Sequence, residues 1–536
     1  MDIPIIPLPK HFIQKEGSYI LTKRSEVTFS GAKNFAAEFI MNLTGLKRGG
    51  GGDIALSLSN SVKEEEGYSL SVDASGIRIS ARSNTGLFYG AQTFRQLLPP
   101  ETETAGVTDS VPVPFVEILD APRFFHRGLL LDVSRHFFDV NIIKQVLDRM
   151  AMLKLNRFHW HLTDSQGWRI ESGRYPGLTE KGAKREGTLV YGWLWGAKYA
   201  NQKPYEGYYT KDDIQEVVAY AAQRGIEVIP EIDLPGHCAA MLAAYPQLSC
   251  FGGPFKTDTG ANSQNPIVCA GRESSYGMIF DILDEIAPLF PCRYFHIGAD
   301  ETDRSSWKKC PACRLRMKEN GLKDERELLG YFVNRLAGHL KSRGFKVIVW
   351  NDGLSENTDK DIICQYWYGN KKETVRQVNG GRQAIYSSIG GYYLDYPFGI
   401  MGLQNSYEAG AGEKEFDKNG QENVIGVEAA LWTEAVYDLA RIDWQMYPRI
   451  LAAAESAWTV PEKKDYRDFL KRVVLFEKRL DRLNIRHARR EAYLRRQKTP
   501  YASMLRLFEP GEHPAMREYR KYNPVEGYNK SDGIKI

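Results

Sequence analysis

Eight short apolar runs, separated by long amphipathic stretches, govern what residues 123–460 can fold into. They lie at 128–133, 157–162, 227–229, 294–297, 346–349, 362–365, 384–388 and 424–428. Between them, apolar side chains at helical spacing predict helices over 141–155, 211–224, 276–289 and 328–343, with a closing helix over 444–458. Parallel strands need crossovers of a dozen or more residues, usually helical. The alternation therefore reads as α/β with a parallel sheet, and eight repeats favour closure into a (β/α)8 TIM barrel. An open doubly wound sheet is the alternative, but no Gly-rich dinucleotide turn follows the first run.

The flanks have a different rhythm. Residues 1–122 read as a small α+β domain with an antiparallel sheet: 66–72 and 77–80 alternate, and 85–98 carries Leu87, Phe88, Ala91, Phe94 and Leu98 at helical spacing. The stretch from Pro99-Pro100 to Pro114 reads as a connector, and Gly49 to Gly52 as a loop without the strand-to-helix context of a phosphate cradle. Residues 461–536 form a helical C-terminal extension, with a basic helix over 469–496 whose Arg489, Arg490, Arg495 and Arg496 read as a solvated face. Three domains suit a chain of 536 residues.

Composition narrows the classes. Lys plus Arg is 71 against 67 acids, a net charge of +4, which argues against nucleic-acid binding. No run of 18 apolar residues supports membrane insertion. The start lacks a basic segment followed by an apolar one, so the compartment stays open between the cytoplasm and a secreted or periplasmic location with a trimmed leader. Oligomeric state is not legible. Ten Trp and 29 Tyr suit stacking on sugar faces and equally suit a large core. Seven cysteines, Cys238, Cys250, Cys269, Cys292, Cys310, Cys313 and Cys364, are too sparse for a disulfide framework. Cys310-Pro-Ala-Cys313 has CxxC spacing, but no second pair stands at metal-site spacing, so these read as incidental loop thiols.

Barrel chemistry sits just after the C-terminal strand ends. All eight ends here carry polar or aromatic groups. Asp300-Glu301 follows the fourth. Burial and like charge would raise the pKa of at least one of the two, and a raised Glu is suited to general acid work. With Trp350, Trp367 and Trp432 at three other ends, this becomes an acidic pair in an aromatic cup, suited to a glycoside with its cationic transition state. The rival is a metal-dependent hydrolase in which His159 and His161, on one strand face, join His237, His296 and Asp300 around zinc. That reading leaves Glu301 and the tryptophans unexplained; a polar layer in which the histidines bond Asp164 or its neighbours is preferred. A barrel that binds sugars without cutting them is the third class.

The segments 131–137, 164–169, 230–237, 296–301 and 431–434 together resemble glycoside hydrolase family 20, the β-N-acetylhexosaminidases. His296-Ile297-Gly298-Ala299-Asp300-Glu301 is similar to the family's His-x-Gly-Gly-Asp-Glu motif, with Ala299 where Gly is common. The resemblance spans about residues 10–460 and implies an exo-acting retaining enzyme that removes terminal GlcNAc or GalNAc from glycans through an oxazolinium intermediate. It implies Glu301 as acid/base, Asp300 orienting the 2-acetamido group, Tyr393 bonding its carbonyl oxygen, and Asp164 with His237 tuning Glu301. Trp350, Trp367 and Trp432 would wall the sugar, and Arg135, Asp395 and Glu434 would hold its hydroxyls. No metal or cofactor is called for. Cys250 and Cys269 match a disulfide seen in some relatives, so a bridge and a reduced pair both stand open. The insertion 172–208, with Trp193 and Trp195, would shape the aglycone side.

Overall fold

The computed structural model describes residues 3–31, 34–188, 201–260 and 265–494. Its centre is a closed barrel of eight parallel strands. In chain order they are His126–Asp132, Arg157–His161, Glu227–Glu231, Tyr294–His296, Lys346–Trp350, Ile363–Tyr366, Ala384–Tyr386 and Val424–Leu431, and the last pairs with the first. Every expected run is a barrel strand in the expected order. Side chains along the first two strands are buried throughout, as a sheet covered on both faces requires.

The crossover helices are set by amphipathic spacing and by caps. Val140–Met152 buries Ile143, Val146, Leu147 and Met150, and the Asp139 side chain accepts from the Ile142 N–H at its start. Lys211–Ala222 opens on a capping box of Thr210 and Asp213. Glu325–Lys341 opens on Asp324, which accepts from the N–H groups of Arg326 and Glu327.

Three departures have physical causes. The closing helix expected over 444–458 is two helices, Leu439–Met446 and Arg449–Trp458, because Pro448 lacks an N–H and its ring cannot sit inside a helix. The basic helix runs over Tyr466–Arg482 and stops before left-handed Asn484. It is less solvated than its composition implies: Arg472 pairs with Glu455 and Arg479 with Glu103 in buried ion pairs, whereas Arg490 lies exposed on Glu477. Arg495 and Arg496 lie outside the described residues. The third departure is the connector, whose end is the start of a strand, Ser110–Asp120, paired with His11–Thr22.

That strand belongs to a seven-stranded sheet. His11–Thr22, Ser110–Asp120, Tyr68–Asp73 and Gly76–Ala81 pair antiparallel; Ile54–Leu58, Glu26–Phe29 and Lys47–Arg48 extend the sheet in parallel. Helices Phe35–Thr44 and Asn84–Leu97 pack on it. Arg127 donates to both Glu66 oxygens (3.0 and 2.9 Å), and the Trp458 indole donates to Asp120 (3.0 Å). Arg127 is the second residue of the first barrel strand, so this domain braces the barrel away from the end that bears Asp300 and Glu301.

All seven cysteines are unbridged. Cys250 and Cys269 are thiols that share one buried group with Cys310 and Cys313. The CxxC pair thus lies beside a second pair of cysteines that sequence spacing did not reveal. Among the described residues no helix is long and apolar enough to cross a membrane.

Candidate active site

Two buried glutamates organise the barrel interior. Glu428 meets His126 and His159, each at 2.7 Å, and accepts from Gln365 (2.7 Å). Glu231 meets His161 (2.5 Å), His159 (3.0 Å) and His296 (2.9 Å), and accepts from the Trp350 indole (2.9 Å). Buried charge persists only when paired. Burial opposes ionisation of both glutamates, but the surrounding imidazoles outweigh it and hold them below the usual carboxylate range. Burial likewise opposes charge on His159, yet Glu428 and Glu231 take it up to about 9. His159 and His161 thus crosslink carboxylates within a polar layer. His161 also meets Asp164 at 2.9 Å, the contact expected of it.

Above this layer the loop after the fourth strand carries Asp300 and Glu301. Gly298 is left-handed (φ 67°) and passes over Asp233 so closely that a Cβ would lie 1.7 Å from a carboxylate oxygen. Ala299 follows at φ 75°, its N–H donating to Asp233 (3.2 Å), and Glu301 sits at φ 40°. His237, on the loop after the third strand, is left-handed too (φ 47°). Such non-glycine conformations cost roughly 1–2 kcal/mol each and gather where function over-determines the backbone. The Ala299 methyl is accommodated because residue 353 is glycine: a Cβ there would lie 2.8 Å from it.

A relay of charges joins these loops. Arg135 lies 2.9 Å from Asp164, whose other oxygen lies 3.1 Å from His237 Nδ1. His237 Nε2 is 3.5 Å from an oxygen of Asp300 and 3.5 Å from one of Glu301. Against the opposing effect of burial, Arg135 and His237 hold Asp164 well below the usual range, and Asp164 and Asp300 hold His237 well above its own. Of the adjacent acids, Asp300 is buried and raised by desolvation, while Glu301, 56% exposed at its side chain, is lowered by the neighbouring His237 imidazole. The expected upward shift therefore falls on Asp300 and not on Glu301. Asp233, buried against Asp300, is raised well above the usual range by desolvation and by that neighbour's charge.

The remaining strand ends supply an aromatic wall. Trp367 stacks on Tyr393 (centroids 5.8 Å apart, planes at 17°) and donates from its indole to Asp352 (2.8 Å). Trp432 lies 5.9 Å from Trp350 and 6.2 Å from Tyr393. Arg135 lies over the Trp432 ring (5.1 Å) and 3.8 Å from Glu434. Asp395 is buried, and desolvation and the Glu434 charge push its carboxyl well up. Asp300 Oδ1, Asp395 Oδ1 and His237 Nε2 are buried in this cleft without a hydrogen-bond partner. All eleven sequence-predicted residues, Arg135, Asp164, His237, Asp300, Glu301, Trp350, Trp367, Tyr393, Asp395, Trp432 and Glu434, come to this one end of the barrel.

Sequence reasoning passed over Asp233, Asp352 and Asn265. Asp233 lay inside a quoted motif and Asp352 two residues after Trp350, so strand-end position pointed to both. Asn265 accepts from the His237 N–H (3.1 Å) and donates to the Glu301 carbonyl (3.2 Å), in a loop with no sequence signal. Trp193 and Trp195 lie outside the described residues. Part of their insertion closes as a short ribbon of Lys184–Arg185 with Tyr205–Glu206.

Residues 124–461 match the family model described as "Glycosyl hydrolase family 20, catalytic domain", and residues 2–121 match "Glycosyl hydrolase family 20, domain 2". The chain belongs to glycosyl hydrolase family 20. It is 39% identical to a β-hexosaminidase of Porphyromonas gingivalis, over 88% of this chain and 62% of that protein. A β-hexosaminidase of Vibrio furnissii is 32% identical, over 85% of this chain and 76% of that one. The chain thus spans less than two thirds of the first relative's length. Among solved structures it is similar to a mutant Streptomyces plicatus β-hexosaminidase in complex with product GlcNAc (30% identity, 91% of this chain and 96% of that one, TM-score 0.79). It is similar also to the β-N-acetylhexosaminidase of Bacteroides fragilis (29% identity, 92% of this chain and 99% of that one, TM-score 0.77).

Proposed function

We propose that the chain is an exo-acting, retaining β-N-acetylhexosaminidase that removes terminal GlcNAc or GalNAc by substrate-assisted catalysis. The observation that carries this is the convergence of Asp300, Glu301 and His237 beneath an aromatic wall, with carboxylate oxygens of both acids 3.5 Å from one imidazole. Family 20 is among the named exceptions to the two-carboxylate scheme, because its substrate carries the nucleophile.

In this reading Glu301 protonates the leaving oxygen while the acetamido carbonyl oxygen attacks the anomeric carbon. Asp300 accepts from the acetamido N–H and balances the positive charge as the oxazolinium ring closes. Tyr393 donates its hydroxyl proton to the attacking oxygen's remaining lone pair. Glu301 then takes a proton from water as that water opens the ring, and two inversions give net retention. Holding the nucleophile inside the substrate exploits proximity, worth up to about 7–11 kcal/mol at the limit. Arg135, Asp395 and Glu434 bind ring hydroxyls and close the non-reducing end, which makes the action exo.

Glu301 must be protonated to act first as an acid. In the open site it is half-exposed and held down by His237. A bound aglycone strips water from it, and desolvation then favours the neutral form.

The test is hydrolysis of an aryl N-acetyl-β-glucosaminide by the chain and by Glu301→Gln. The variant is expected to keep its fold and lose most turnover. Wild-type kinetics in that variant would remove Glu301 from its role.

A further inference from the structure

Four cysteines from separate stretches of the chain meet below the loops just described. Cys250 ends the segment after the helix Ala239–Ala244, and Cys269 pairs back on it, the Cys269 N–H donating to the Leu248 carbonyl (2.8 Å). Cys310 caps the helix Pro311–Glu319, and Cys313 lies in its first turn. The sulfur separations are 3.8 Å for Cys250–Cys313, 3.8 Å for Cys269–Cys310 and 3.7 Å for Cys269–Cys313, and all four sulfurs lie within 4.8 Å of one another. All four residues are at most 4% exposed.

These lengths discriminate among ways of using four thiols. A disulfide holds its sulfurs about 2.05 Å apart. A tetrahedral ion with metal–sulfur bonds of about 2.3 Å sets its sulfurs about 3.8 Å apart, the length of all three separations given above. We infer that Cys250, Cys269, Cys310 and Cys313 form a zinc(II) tetrathiolate site. Binding balances as Zn²⁺ plus four thiols giving a dianionic tetrathiolate and four protons.

The surroundings are built for such a group. Gly271 lets the Cys269 segment lie against the Cys310–Cys313 turn; a Cβ there would be 2.2 Å from the Ala312 carbonyl carbon and 2.3 Å from the Cys313 nitrogen. Arg272 donates to the carbonyls of Ser249 (2.9 Å) and Cys250 (2.7 Å), and Arg316 to that of Gly271 (3.3 Å). The N-terminus of the helix Pro311–Glu319 faces the cluster from Cys310 and favours negative charge there. The sequence concealed the site because one ligand pair is Cys-x2-Cys and the other is spread over 18 intervening residues, some 40 upstream.

With four thiolates the ion has no open position, so its work is structural. It joins the loop that follows His237 to the loop that follows Glu301. Trp307 adds an indole bond to the Val268 carbonyl (2.8 Å), and Asn265 ties the same two loops nearer the cleft. The zinc clamps the pair of loops whose separation fixes His237 against Glu301.

Metal analysis of the full chain, purified in reductant without added metal, tests this. About one zinc per chain is expected, falling to near zero in Cys310→Ser/Cys313→Ser and unchanged in the control Cys292→Ser. The four thiols should resist alkylation until a strong chelator is added, and chelation should lower the melting temperature. Should the double variant fail to fold, cobalt(II) exchange into the wild-type chain, read as the absorption bands of a tetrahedral thiolate, replaces it. Wild-type chain without metal, with four freely alkylated thiols or a mapped Cys250–Cys269 disulfide, would overturn the site. Iron in place of zinc would overturn the choice of ion.

Discussion

His237 Nδ1 lies 3.1 Å from Asp164 Oδ1, and this contact fixes which way the imidazole faces. With Nδ1 committed, Nε2 is turned toward Asp300 and Glu301. Burial works against charge on His237, and Asp164 and Asp300 more than compensate. The charged ring is what lowers Glu301 in the open cleft.

Replacing His237 therefore has a signed effect on the pH profile. In His237→Asn the positive charge beside Glu301 is lost, so the Glu301 pKa rises in the free chain. Because the acid must be protonated, the alkaline limb of kcat/KM moves to higher pH while kcat at the optimum falls at least tenfold, as expected for a mispositioned general acid. An unshifted limb would show that His237 does not set the charge of Glu301.

The buried charges also set how stability depends on pH. Asp164, Glu231 and Glu428 are depressed in the folded chain, so their contribution is present above about pH 4 and is lost as pH falls through the folded values. His159, raised to about 9, and His161 are elevated, so theirs is complete below about pH 6.5 and is lost as pH rises through the folded values. Asp352, raised to about 7 by burial and the Asp300 charge, disfavours the folded state increasingly as pH climbs above about 4. The melting temperature should peak between about pH 4.5 and 6.5 and decline toward pH 9, as scanning fluorimetry over that range would reveal.

At the Gly298-Ala299 turn two substitutions should act oppositely. Ala299→Gly relieves a left-handed alanine, worth about 1–2 kcal/mol, against about 0.5–1 kcal/mol of added chain entropy, for a net gain of roughly 0.5–1 kcal/mol. Gly298→Ala drives a methyl into Asp233 and should lose more than about 2 kcal/mol together with most activity. Denaturant titration of both variants measures the difference.

Asp352 is expected to position Trp367 through the 2.8 Å indole bond. Asp352→Ala should forfeit about 1 kcal/mol, seen as roughly a fivefold rise in KM with little change in kcat, and Asp352→Asn should restore most of it by keeping an acceptor. A fall in kcat alone would place Asp352 elsewhere in the reaction.

What was legible in the sequence follows from what periodicity encodes. Eight strands buried on both faces print as eight apolar runs, and their C-terminal ends name the cleft. The break at Pro448 was missed, because helical spacing continues across it and was given more weight than the proline. The antiparallel pairing of Ser110–Asp120 with His11–Thr22 was not legible, because its partners lie some ninety residues apart and prolines interrupt its alternation. The direction of the Glu301 shift was hidden: adjacency to Asp300 suggested repulsion, and although the family resemblance named His237 as tuning Glu301, nothing in the sequence said that it would lower that carboxyl. The four-thiol cluster is likewise a product of tertiary folding.

The most direct measurement of the central claim uses aryl β-glucosaminides whose N-acyl group carries zero to three fluorines. Fluorine drains electron density from the carbonyl oxygen without much change in size. If that oxygen attacks the anomeric carbon, kcat/KM falls steeply with each fluorine, and the trifluoro substrate is slower by orders of magnitude. A series with equal kcat/KM would contradict participation by the acetamido group.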